Sequence, residues 1–91
     1  MGPINPTYEY DPSADALVIK LRPESEIART VEVNDSRFVD VNADGDVVEI
    51  EILWASGGVQ VEDLIDRFQL WDFKPFLQEV SAQQFRPRSF A

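Results

Sequence analysis

The chain contains no cysteine and no histidine. Without cysteine it forms neither a disulfide nor a thiolate metal site, a composition that suits a reducing cytoplasm. Without histidine, the Ser-His-Asp and Cys-His catalytic systems are closed to it. Basic residues are also scarce, since eight Lys and Arg face 17 Asp and Glu for a net charge of −9. Nucleic-acid binders draw most of their affinity from neutralised phosphates, and anionic membranes attract basic segments. Direct binding to either is not expected. No apolar run approaches the roughly 20 residues that span a bilayer. The opening Met1-Gly-Pro-Ile-Asn-Pro lacks the basic and apolar regions of a secretion signal, so a cytoplasmic location is expected. No glycine-rich phosphate loop occurs, and Gly57-Gly58 reads as a turn. Nothing beside Lys20 or Lys74 suggests a desolvated amine. Catalysis is therefore not expected, and no motif asks for a cofactor.

What the chain does have is enough apolar matter for one core. It runs to 91 residues, 44% hydrophobic, with ten aromatics (two Trp, two Tyr, six Phe). A chain of this size has room for one domain. Residues 1–6 carry two prolines and a glycine and read as a flexible leader, 7–82 as a single domain, and 83–91 as a frayed tail.

Period-two patterning dominates the first part. Thr7 to Tyr10 is β-prone and ends in the turn signal Asp11-Pro-Ser-Ala-Asp15. From Ala16 to Arg22, Leu17, Ile19 and Leu21 alternate with Val18, Lys20 and Arg22, which predicts a half-buried strand with Lys20 and Arg22 outward. Val31 and Val33 suggest a further short strand before a turn at Asn34-Asp35. Phe38 to Asn42 and Val47 to Trp54 then flank Asp44-Gly45, a strong hairpin signal. A two-residue loop there pairs Val41 with Val48, Val39 with Ile50 and Arg37 with Ile52. A three-residue loop would set Val39 against Glu49 and mix the faces, so the first register, or a four-residue loop preserving it, is expected.

After Gly57-Gly58 the period becomes helical. Val61, Leu64, Ile65 and Phe68 share one face, and Phe73, Phe76, Leu77 and Val80 repeat that spacing behind a candidate cap at Asp72. Pro75 fits only in a first turn. The expected fold is α+β: a small curved antiparallel sheet of four or five strands, followed by one or two C-terminal helices on one face.

Two stretches, Tyr10-Asp-Pro-Ser-Ala-Asp-Ala-Leu-Val-Ile-Lys-Leu21 and Val39-Asp-Val-Asn-Ala-Asp-Gly-Asp-Val-Val-Glu-Ile-Glu-Ile-Leu53, resemble the motifs of domain of unknown function 2283. That is a family of small prokaryotic domains, so the resemblance implies a bacterial protein. Together the motifs frame roughly residues 8–56. Glu49 departs from the pattern, where a small residue is usual, and the stretch after Gly57 is less typical. The resemblance implies a curved antiparallel sheet with helical material behind it, and no activity.

Asp40-x-Asn42-x-Asp44-Gly45-x5-Glu51 also satisfies the EF-hand loop pattern. In a hairpin, however, Glu51 lies about 20 Å along the strand from Gly45, and no helices flank the motif. An acidic hairpin is the better reading. That hairpin sets Asp40 opposite Glu49 with Glu51 diagonal, and like charges in such positions repel. Neighbouring Lys20 and Arg22 with solvent, a cationic partner, or a divalent ion would each relieve them. Asp40, Glu49 and Glu51 are thus the candidate metal ligands.

Among the aromatics, Trp54, Phe73 and Phe76 are expected to cap the core. Trp71, Phe85 and Phe90 exceed what one small core hides and are the interface candidates. The functional expectation is a small non-catalytic interaction module, either a homodimer or the acidic partner of a basic protein in the manner of an antitoxin. A metal-binding or hydrolytic carboxylate site on the hairpin is the alternative, and nucleic-acid mimicry a third reading.

Overall fold

Where the sequence alternates, the computed structural model, which describes residues 5–88, has strands. They are β1 (Thr7–Asp11), β2 (Ala16–Lys20), β3 (Arg29–Asn34), β4 (Arg37–Val41) and β5 (Val47–Leu53). All neighbours are antiparallel, in the order β1-β2-β5-β4-β3. The connection after β2 passes over two strand positions to the far edge, and β3 and β4 then step back to β5. The last strand is therefore the central one. Its Ile50 and Ile52 are enclosed, as strands with neighbours on both sides require of their inward residues.

Two helices follow, α1 (Glu62–Arg67) and α2 (Lys74–Ser81), the second preceded by a one-turn 3-10 stretch, Trp71–Phe73. Leu17, Ile19, Val39, Ile50 and Ile52 of the sheet share one core with Val61, Leu64, Ile65, Leu77 and Val80. Leu17, Ile19, Ile50, Leu64 and Leu77 are 0% exposed. Burying each such side chain contributes about 1.5–3 kcal/mol. All helical packing thus falls on one face of the sheet. This is the expected α+β architecture.

Three local expectations need correction. Asp72 does not cap α2, whose N-cap is Phe73 with no side-chain bond, because the 3-10 turn places Asp72 before the helix. Pro75 sits in the first turn, where its missing N–H costs nothing. In the stretch after α2, Phe85 packs on Tyr8 and Tyr10, with centroids at 6.0 and 4.9 Å, and Arg88 N donates to Pro12 O at 2.8 Å.

The hairpin reaches the expected register by another route. Val39 faces Ile50 and Arg37 faces Ile52, but Val41 pairs with Val47, not Val48. Asn42 N donates to Asp46 O at 2.9 Å and Gly45 N to Asn42 O at 3.0 Å, which makes a three-residue loop. Gly45 takes φ 87°, the left-handed position that such a loop reserves for glycine. A bulge between Asp40 and Val41 then restores the phase. Val47 and Val48 are both buried, and the Val48 carbonyl accepts from Leu21 N and Arg22 N at 2.9 and 3.1 Å.

Arg22 is the third departure. β2 ends at Lys20, and the Arg22 guanidinium turns to the helical side, 5.0 Å over the Phe73 ring, with a hydrogen bond to Val47 O.

Candidate functional site

Alternation that buries one side of the sheet presents the other, and no helix packs on it. The register lays its side chains out in three rows across the strands. One row runs Asp11, Ala16, Leu53. The next runs Glu9, Val18, Glu51, Phe38, Glu32. The third runs Thr7, Lys20, Glu49, Asp40, Thr30. Six carboxylates surround the half-buried Val18, Leu53 and Phe38, and Lys20 is the one cation in the rows.

Asp40 and Glu49 face each other as the sequence indicated, with Glu51 in the next row. Asp40 is only 9% exposed and accepts a hydrogen bond from the Thr30 hydroxyl. Burial pushes the Glu49 carboxyl above its usual range. The hydrogen bond and charge of Asp40 add to this, Lys20 opposes it, and Glu51 contributes in the same sense as Asp40. Lys20 also lies 3.9 Å from Glu9. With Arg22 on the other side, Lys20 alone offsets the central carboxylates.

Among the described residues, no three acidic groups are placed to hold one metal ion. The EF-hand pattern dissolves into turn chemistry. Asn42 Oδ1 accepts from Asp44 N and Asp46 N at 3.0 and 2.9 Å, while Glu51 lies back along β5 opposite Phe38.

The interface candidates separate. Trp71 is 54% exposed at the start of the turn before α2. Phe85 is partly buried against the core and spent on the two tyrosines. Phe90 lies outside the described residues. Phe73 and Phe76 pack against the core as expected, but Trp54 does not cap it and is 63% exposed. The reason is its backbone: Trp54 has φ 54° and ψ 44°, a left-handed conformation that turns the indole outward. That conformation costs an L-residue roughly 1–2 kcal/mol. No sequence signal marks it, since glycine or asparagine is the usual occupant.

A four-bond clamp holds this strained corner. Asp15, itself at φ 52°, accepts through its carbonyl from Ala55 N at 3.0 Å. Its carboxylate accepts from Ser56 N at 2.9 Å, Ser56 Oγ at 2.6 Å and Tyr10 OH at 2.7 Å. Burial opposes ionisation of Asp15, but the bonds from Ser56 and Tyr10 outweigh it and hold the carboxyl below its ordinary range. The Tyr10 hydroxyl is pushed up to about 12, by burial first and then by Asp15. Across the same end of the sheet, Arg37 Nη1 meets Asp63 Oδ1 at 2.7 Å and Gln60 O at 2.9 Å. The Arg37 guanidinium holds Asp63 low.

These features define an open, five-stranded antiparallel α+β domain with helices on one face and an acidic, partly apolar surface on the other. The chain matches the family model described as protein of unknown function (DUF2283) over residues 7–56, and it belongs to that family. The match covers all five strands and stops short of both helices. No curated protein and no solved structure matches the chain.

Proposed function

We propose that the protein is a non-catalytic interaction module whose helix-free sheet face binds a basic partner protein. The observation that supports this is the composition of that face: six carboxylates around Val18, Phe38 and Leu53, with Lys20 as the one cation. Apolar side chains ringed by one sign of charge suit a partner of opposite sign, since complementary charge sets orientation and on-rate while apolar contact supplies affinity. The same face would not suit a second copy of itself, because a twofold contact would set carboxylates on carboxylates. An antitoxin-like role, neutralising a basic protein, follows the same chemistry. The metal or hydrolytic reading has less support, as only Asp40 and Glu49 stand directly opposed.

The test is capture of the tagged protein from its host, with mass by light scattering, for wild type and for Glu51→Lys with Glu32→Lys. A stoichiometric basic partner held by wild type and lost from the double variant supports the reading. A homodimer carrying nothing else, unchanged by the two substitutions, overturns it.

A further inference from the structure

We propose that a hollow between Arg37 and Trp54 binds a carboxylate carried on a flat apolar group. The hollow, about 300 Å³, lies where the β3–β4 turn, the end of β5 and the Gly57-Gly58 stretch meet. That volume is at the lower end of small-molecule sites. Its charge is unlike that of the rest of the protein. The chain carries 17 carboxylates, yet none lines the hollow, and Arg37 is its one charged side chain.

Two of the lining side chains, Arg37 and Asn34, have donors left open. Both bonds of Arg37 leave from Nη1, toward Gln60 O and Asp63 Oδ1. Nε and Nη2 have no partner among the described residues. That edge of a guanidinium presents two parallel N–H donors at the spacing of a carboxylate's oxygens. The Arg37 side chain is 15% exposed, so the ion pair and packing hold it in place. Asn34, also in the lining, spends Oδ1 on Ser36 N and Ser36 Oγ, at 3.0 and 3.2 Å, which leaves its amide N–H groups to donate. The open donors of Arg37 and Asn34 suit a ligand group that only accepts, and an ionised carboxylate is such a group.

The flat apolar part follows from Trp54. Its indole borders the same hollow and is largely exposed, held outward by the Asp15 clamp against the preference of its backbone. Strain kept in place by several independent bonds is typical of ligand-contacting positions. A ring stacked on the indole would gain contact area while its acid group reaches the Arg37 fork. Free aromatic acids and the C-terminal carboxylate of a peptide ending in an aromatic residue share this chemistry.

The experiment uses the full chain carrying Trp71→Phe, so that Trp54 is the sole indole, and follows its fluorescence with added benzoate. Benzamide supplies the ring without the charge, and acetate the charge without the ring. Benzoate should give a saturable change, with each partial ligand about tenfold weaker. Glycyl-phenylalanine and its C-terminal amide form the second arm: tighter binding of the dipeptide acid than of benzoate assigns the site to chain ends, and the reverse to free acids. Arg37→Lys keeps the charge but loses the fork and should weaken benzoate about tenfold. Trp54→Gly, which suits the left-handed backbone, should abolish binding read by calorimetry while the fold is retained. Equal responses to benzoate and benzamide would overturn the proposal. So would the absence of saturation by any acid in the millimolar range.

Discussion

Ser56 closes two hydrogen bonds onto the carboxylate of Asp15, N to Oδ1 at 2.9 Å and Oγ to Oδ2 at 2.6 Å, across 41 positions of sequence. The turn after β1 and the turn after β5 are thereby tied at one end of the sheet, and Tyr10 adds a third donor. Asp15→Ala removes all three acceptor contacts and should cost roughly 1–3 kcal/mol in chemical denaturation. It should also move the Tyr10 hydroxyl down from about 12 toward its ordinary 10.0, read by ultraviolet titration in a Tyr8→Phe background. An unchanged titration would show that Asp15 does not hold that proton.

The sign of the pH dependence follows from two opposite shifts. Asp15 and Asp63 are held low in the fold, so their contributions are present above the unfolded carboxyl value near 3.8 and are lost as pH falls through their lower folded values. Glu49 is raised, so the fold takes up its proton before the unfolded chain does. Stability should therefore rise as pH falls through the raised Glu49 value toward 4.5, and drop only below about 3.8. Glu49→Gln should remove the rise and, by relieving the repulsion with Asp40, stabilise the protein at neutral pH by up to about 1 kcal/mol. Denaturation midpoints at neutral and mildly acidic pH check both statements. A variant less stable than wild type at neutral pH would refute the repulsion.

Much of this was legible in the sequence, and the exceptions share a cause. Strands whose inward residues are apolar and outward ones polar, such as Leu17-Val-Ile-Lys20, declare their phase. Hence the Asp40–Glu49 opposition could be placed by arithmetic from Gly45. Val47-Val48 carries no phase, because both residues are apolar, so the bulge was invisible and a two-residue loop looked sufficient. Trp54 and Arg22 sit one or two residues beyond a strand end, where alternation no longer governs direction. Trp54 is turned out by its own φ, and Arg22 is drawn round to the Phe73 ring and the Val47 carbonyl. Neither force is visible in hydropathy.

Gly45 offers a clean separation of backbone from packing. A methyl group built there meets nothing within 4 Å, yet φ is 87°. Gly45→Ala should therefore destabilise through the left-handed conformation alone, by roughly 1–2 kcal/mol. Gly45→Asn, which tolerates that region, should cost less. Equal losses in the two variants would mean that the loop relaxes into another turn, which amide chemical shifts at Asn42 and Asp46 would reveal.

The family match ends at residue 56, whereas the core does not. Leu77 is 0% exposed and packs in the same cluster as Leu17 and Ile50. A five-stranded sheet with one apolar face cannot leave that face in water, so α1 and α2 are needed by the strands and are not an appendage to them. Leu77→Ala should then cost about 2–5 kcal/mol, the range for a buried leucine whose cavity cannot fully close. The loss should appear in one cooperative transition shared by sheet and helices. Strand amide protection in hydrogen exchange should fall together with that of α2. Protection that survives in β2 and β5 while α2 opens would show that residues 7–56 fold without the helices, and that the buried face has another cover.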